Sequence, residues 1–318
     1  MSSPPAGAAA APGRRLAVAA LLFNAFSFGV SWWPMRQINA LGLHPLWLTG
    51  ISFAVAVALL LLWRPQALVE LWRTPSLWAL MAAAGLTNAC FNWAVSFGDV
   101  VRVVLLFYLM PLWAVLLAWG LLGERVSARG AFRVALALGG ALVVLWPADA
   151  DADAAADADA AAAAAAAFGA WPLPRNLAEA LALLGGISFA LNNVLLRREA
   201  RRGQAARSLA MFLGGALVAL LLAGLLTQRG LAALPPAAGW AWMAAVAGMA
   251  LWFLVANLAL QHGAALLPAN TTSVILITEV LFATVSALAL GAGTLGPREA
   301  LGALMIISAA VLAALQVD

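Results

Sequence analysis

The chain has 318 residues, 65% of them hydrophobic and only 9% charged, with a formal net charge of +4. A water-soluble domain carries about 25% charged residues, so this composition and a mean hydropathy of +0.98 exclude a soluble globule. All 17 basic residues are arginines, scattered through short segments between apolar runs, a pattern that speaks against nucleic-acid binding.

Residues 1–15, rich in Pro and Ala and closing on Arg14-Arg15, read as a cytoplasmic tail. From there, apolar runs of about 20 residues follow one another, each able to cross a hydrocarbon core of about 30 Å as a helix. Runs such as Ala54–Trp63 and Leu217–Leu226 lack the alternation of a membrane β-barrel. The fold class is therefore an all-α integral membrane protein. Ten transmembrane helices are predicted, near 16–35, 45–63, 76–97, 100–122, 129–146, 177–196, 207–227, 238–261, 265–290 and 298–316. The first ends in Trp32-Trp33-Pro34 without a small-residue cleavage site, which reads as a retained helix and not a signal peptide. Arg64-Pro65, Arg73-Thr74-Pro75, Gly123-Glu124-Arg125, Pro235-Pro236 and Gly296-Pro297-Arg298 supply the breaks.

With the N-terminus inside, twelve arginines lie on the inner side and five (Arg36, Arg102, Arg175, Arg229 and Arg298) on the outer side. The positive-inside rule then makes both termini cytoplasmic, in a bacterial inner membrane. Residues 147–176 form the one long loop, with five aspartates followed by Ala160–Ala167. It lacks the Gly turn and closing Glu of a calcium loop and reads as a low-complexity outer linker. It divides the chain into residues 16–146 and 177–316.

Those two parts resemble each other. Ser27-Phe28-Gly29-Val30 matches Ser188-Phe189-Ala190-Leu191, Asn92–Gly98 matches Asn257–Gly263, and Arg129-Gly130-Ala131 matches Arg298-Glu299-Ala300, all in the same order. Five helices is an odd number, so a second copy enters the membrane from the opposite side. Two inverted five-helix repeats (5+5) are the architecture of secondary transporters, which hold substrate between the repeats near the midplane.

Ionisable and amide groups at membrane depth are costly and face the bundle interior or a cavity. Glu279, deep in the ninth span, is the candidate coupling residue, for a proton or a substrate amine. Asn88 and Asn92, Asn192 and Asn193, and Asn257 and Gln261 put amides on the third, sixth and eighth spans. They are candidates for a polar substrate cavity or, alternatively, interhelical hydrogen bonding. Trp32, Tyr108 and Trp252 are candidates for its aromatic wall. Asp99 and Arg102, at the start of the fourth span, read as a local ion pair or interface anchor. Gly139-Gly140, Gly185-Gly186 and Gly214-Gly215 permit close helix contact.

The stretch from Tyr108 through Pro111 and Trp113 to Gly123-Glu124-Arg125, with Ile277-Thr278-Glu279-Val280 in the second half, resembles the EamA-type transporters of the drug/metabolite transporter superfamily. In that family the fourth span ends in Leu-Gly-Glu and the ninth often carries Glu-Pro. Here Val280 stands in place of that Pro, and Gly291-Ala292-Gly293 in place of a second Leu-Gly-Glu. The resemblance implies a ten-helix basket with a central cavity, working as a single chain and exporting amino acids, related metabolites or drugs. Its partners would be the substrate, the lipid bilayer and protons as coupling ion.

A membrane-embedded enzyme or a passive channel are the competing classes. No His-Glu-x-x-His, Gly-x-Ser-x-Gly, Walker or filter motif is present. No metal or cofactor is predicted, since His44 and His262 lie far apart near span ends and Cys90 is the single cysteine.

Overall fold

The computed structural model describes residues 11–110, 113, 116–117, 128–145, 174, 176–199, 202–237, 239–266 and 269–315. The Asp/Ala linker and most of the fourth span beyond Met110, Pro111 included, lie outside the described residues. In chain order the helices are α1 (Ala11–Val30), α2 (Trp32–Ala40), α3 (Pro45–Trp63), α4 (Gln66–Arg73), α5 (Ser76–Phe97), α6 (Val100–Phe107), α7 (Ala128–Leu145), α8 (Leu177–Arg198), α9 (Gln204–Gln228), α10 (Trp240–Leu266), α11 (Ala269–Ala289) and α12 (Pro297–Leu315).

Among the described residues, five segments are long and apolar enough to cross a membrane: Gly13–Ala40, Pro45–Trp63, Leu177–Leu196, Gln204–Gln228 and Trp242–Gly263. They correspond to the predicted first, second, sixth, seventh and eighth spans. The 22-residue α5 is as long, but Thr87, Asn88, Asn92 and Ser96 lower its hydropathy. Large apolar side chains face outward on these helices, with Leu62 83% exposed, Leu221 65% and Leu251 56%. In water such surfaces would aggregate; in a bilayer they meet lipid.

Proline sets several boundaries. Pro45 opens α3 behind the His44 cap, whose Nδ1 accepts the Leu46 N–H at 3.2 Å. Arg64, pushed off helical geometry before Pro65, closes it. The first predicted span extends over α1 and α2 and breaks at Ser31. Pro34 has no N–H to give the Val30 carbonyl, and the Ser31 hydroxyl donates instead to the Phe28 carbonyl at 2.8 Å. A second departure is α4, an eight-residue helix within the predicted loop 64–75. At the ends of α9 and α11, Gly230 and Gly291 take φ of 69° and 65°. The Leu231 and Ala292 N–H groups then reach back to the Leu226 and Ala287 carbonyls, both at 2.8 Å. This is a left-handed stop that glycine adopts without strain.

The packing interleaves the two halves. Helix α1 lies on α10 and α11, α8 on α5 and α6, α9 on α3 and α5, and α12 on α7. Phe28, Phe53, Phe212 and Phe253 form one aromatic chain through the core, with ring centroids 5.3–5.7 Å apart. Close approaches occur at the predicted glycine pairs: a Cβ on Gly186 would stand 2.6 Å from the Phe107 carbonyl oxygen, and one on Gly214 would collide with that of Met81.

Contacts at the helix ends give directions. Arg36 on α2 donates to the Val95 carbonyl at 3.0 Å and to that of Gly98, so α2 and α5 end on one face. Helix α8 starts there, because Glu179 in its first turn meets Arg102 of α6. Helix α11 ends there, Ala292 three residues past its end accepting the Val100 N–H at 3.2 Å. Helix α10 ends on the opposite face, where Gly263 packs on Ala17 near the start of α1.

Candidate functional site

Helix α6 stops at a turn over Tyr108-Leu109, after a helix in which every residue but Arg102 is buried. The interruption faces α11. The Tyr108 hydroxyl donates to the Leu276 carbonyl at 3.4 Å, about one turn before Glu279 on α11, which brings it near the Glu279 carboxyl. Tyr108 itself is 4% exposed. On the far side of Glu279, α1 comes close enough that a Cβ on Gly29 would stand 2.8 Å from the Glu279 carbonyl oxygen. From α8, the Asn193 amide reaches the Met110 sulfur at 3.6 Å. Its neighbour Asn192 is buried, and the side-chain oxygen of Asn192 has no hydrogen-bond partner. Tyr108, Asn193 and Glu279 thus converge on one broken helix. The unpaired buried Asn192 carbonyl on α8 is an acceptor awaiting a donor, because such a group is costly to leave unmatched.

The other predicted residues form separate clusters. Asn92 on α5 donates to the Thr49 hydroxyl on α3 at 3.2 Å, whereas the Asn88 amide turns back to the Ala84 carbonyl of its own helix at 2.8 Å. On α10, Gln261 donates to Asn257 at 2.8 Å and also to Ser208 of α9, while its own side-chain oxygen stays buried without a partner. Trp252 donates to the Ser27 carbonyl at 3.2 Å, and Trp32 to the Ser286 hydroxyl at 3.0 Å. The Arg36 guanidinium lies 5.2 Å from the Trp32 ring centroid, within cation–π range.

Asp99 and Arg102 do not form the predicted local ion pair. Asp99 caps α6 through the Arg102 backbone N–H at 2.9 Å, and its second oxygen accepts the Thr294 N–H at 3.0 Å. The Arg102 guanidinium goes elsewhere, to Glu179 at 3.0 Å and Glu299 at 3.5 Å. One arginine therefore clasps the starts of α6, α8 and α12. The reason is geometric: Arg102 lies one turn into the helix that Asp99 caps, and its side chain leaves the cap behind. Sequence reasoning missed Glu179 and Glu299, whose one visible signal was an acid in the first turn of a helix. It also missed Asn24, Thr49, Ser208 and Ser286, small or single polar groups whose partners lie on distant spans.

Residues 15–146 match the EamA-like transporter family. No curated protein matches the sequence. A solved structure described as "Crystal structure of protein" is similar in fold, with a TM-score of 0.52 and 17% identity over 95% of this chain and 97% of the other. The chain is thus a multi-pass helical membrane protein whose first half is similar to the EamA-like transporters.

Proposed function

We propose that the protein is a secondary transporter that exports amino acids or related small metabolites by alternating access, coupled to protons at Glu279. Ten spans would form two inverted five-helix repeats, residues 16–146 and 177–316, with both termini in the cytoplasm of a bacterial cell. Support for the inversion comes from the helix directions: α2 ends where α8 begins, α6 begins where α11 ends, and α5 and α10 end on opposite faces. Each pair occupies matching places in the repeat.

The observation that carries the transport site is the contact of Tyr108 with the Leu276 turn of α11, beside Glu279, at the interruption of α6. It joins one helix from each half at the point where the backbone leaves helical geometry, and interrupted helices between repeats are where secondary transporters hold substrate and ion. Glu279 would exchange a proton or bind a substrate amine, Tyr108 would orient it, and Asn192 and Asn193 would offer amide contacts from α8. Asn92, Asn257, Gln261, Trp32 and Trp252 would line the remaining route. Alternating access would open the clasped face by releasing Arg102 from Glu179 and Glu299.

The test is efflux of a radiolabelled amino-acid mixture from proteoliposomes, with and without a pH gradient. The wild type should respond to the gradient, and Glu279→Gln should lose that response. Efflux equal to protein-free vesicles would remove the amino-acid reading. Efflux indifferent to both the gradient and Glu279→Gln would remove proton coupling.

A further inference from the structure

The short helix α4 has no part in the transport site, yet its sequence is that of an interfacial helix. It buries Ala67 and Leu71 against Leu77, Leu80, Leu209 and Ala210 and turns Leu68, Val69 and Trp72 outward, Trp72 being 63% exposed. Trp72 meets Trp78 edge to face at 5.5 Å, and the Trp78 indole N–H donates to the Leu71 carbonyl at 3.1 Å. Trp63, 62% exposed, carries the Arg64 guanidinium 5.1 Å from its ring centroid. Three outward tryptophans at one end of the bundle mark the headgroup depth of a membrane, and α4 lies at that depth.

Charge is concentrated there too. The two segments meeting at this end, 64–75 and 197–207, contain seven arginines against two glutamates. Between α4 and the turn into α9 is a groove of about 510 Å³ lined by Gln66, Val69, Glu70, Arg73, Thr74 and Arg202. Its one carboxylate is already engaged, Glu70 accepting the Gly203 N–H at 2.9 Å. Arg202 leans on Glu199 at 3.5 Å with half of its side chain exposed, and Arg73 has no ion-pair partner among the described residues. Guanidinium groups bind phosphate through paired N–H donors, and basic clusters beside a span attract anionic lipid.

We infer that this groove seats the headgroup of an anionic phospholipid, with Arg73 and Arg202 holding the phosphate and Val69, Leu68 and Trp72 facing the acyl chains. The apolar wall beside the arginines favours a lipid over a soluble phosphate, which would leave that wall in water.

Native mass spectrometry of the full chain, taken from mixed phosphatidylglycerol and phosphatidylcholine nanodiscs, tests the assignment. The wild type should retain phosphatidylglycerol preferentially, and Arg73→Gln/Arg202→Gln should lose one such lipid per chain. Arg229→Gln, at the far end of α9, should leave retention unchanged. Equal retention of the two lipids, retention unaffected by the double substitution, or displacement by millimolar glycerol 1-phosphate would each overturn the proposal. Should the double variant not fold, a photoreactive residue at Gln66 serves in the otherwise unchanged chain. It should capture phosphatidylglycerol over phosphatidylcholine, and equal capture would overturn the proposal as well.

Discussion

The Arg102 guanidinium stands 3.0 Å from the Glu179 carboxylate across 77 residues of sequence, and its side chain and that of Glu179 are 19% and 5% exposed. A second carboxylate, Glu299, takes another of its nitrogens at 3.5 Å. Removing Arg102 leaves two carboxylates facing each other, whereas removing either glutamate leaves the arginine one partner. Arg102→Gln should therefore cost more than Glu179→Gln or Glu299→Gln. The loss is expected on the order of 2 kcal/mol, below the roughly 3–5 kcal/mol of a fully buried broken pair because water reaches the guanidinium. Thermal unfolding of the three variants in detergent measures the order, and equal losses would deny the clasp.

Asn92 donates to Thr49 across the α3–α5 contact. Interhelical hydrogen bonds in membrane proteins contribute about 0.6 kcal/mol on average. Asn92→Ala and Thr49→Ala should each lose about that much, and the double variant little more. If Asn92 also contacts substrate, Asn92→Ala alone should raise the KM for transport; identical kinetics in the two single variants would limit Asn92 to the hydrogen bond.

Gly214 packs so tightly on the Met81 carbonyl that any Cβ collides with backbone, whereas Gly224 on the same helix has open space. Gly214→Val should separate α9 from α5 and lower stability by about 1–3 kcal/mol or more. Gly224→Ala should be neutral or slightly stabilising. Chromatographic monodispersity and melting temperature distinguish the two.

His44 caps α3 through an unprotonated nitrogen, and burial pushes its imidazole below the usual value near 6.5. The unfolded chain therefore takes up this proton at higher pH than the folded one. The stability contributed is complete above about pH 6.5 and is lost as pH falls through the folded value. The melting temperature of the wild type should fall from pH 7 towards 5 more steeply than that of His44→Asn, which caps without titrating. Parallel curves would assign the acid sensitivity to other groups.

Much of the helical layout is readable from composition and proline placement alone. Pro45 and Trp63, and Ser76 and Phe97, are both the predicted and the observed limits of α3 and α5, because each apolar run stops at a proline or glycine. The helix α4 escapes such reading, since Gln66, Glu70 and Arg73 interrupt hydropathy over a segment too short to show a period. The i, i+4 spacing of Asn257 and Gln261 puts both on one face of α10, where they meet. Spacing could not tell that Asn88 would turn back on its own helix while Asn92 crosses to the next. The Arg102 clasp and the approach of Tyr108 to Glu279 exist only after distant spans have packed.

Asn24 on α1 has its amide satisfied by the Ala256 carbonyl on α10, at 2.8 Å and 232 residues further along the chain. At ribosomal rates of about 5–20 residues per second, roughly 10–50 s separate the two in synthesis. Throughout that interval the first hydrophobic segment must wait in the membrane, with a polar group that no later helix has yet reached. Lateral release of a newborn α1 into lipid is therefore penalised until the segment carrying Ala256 has followed it into the membrane.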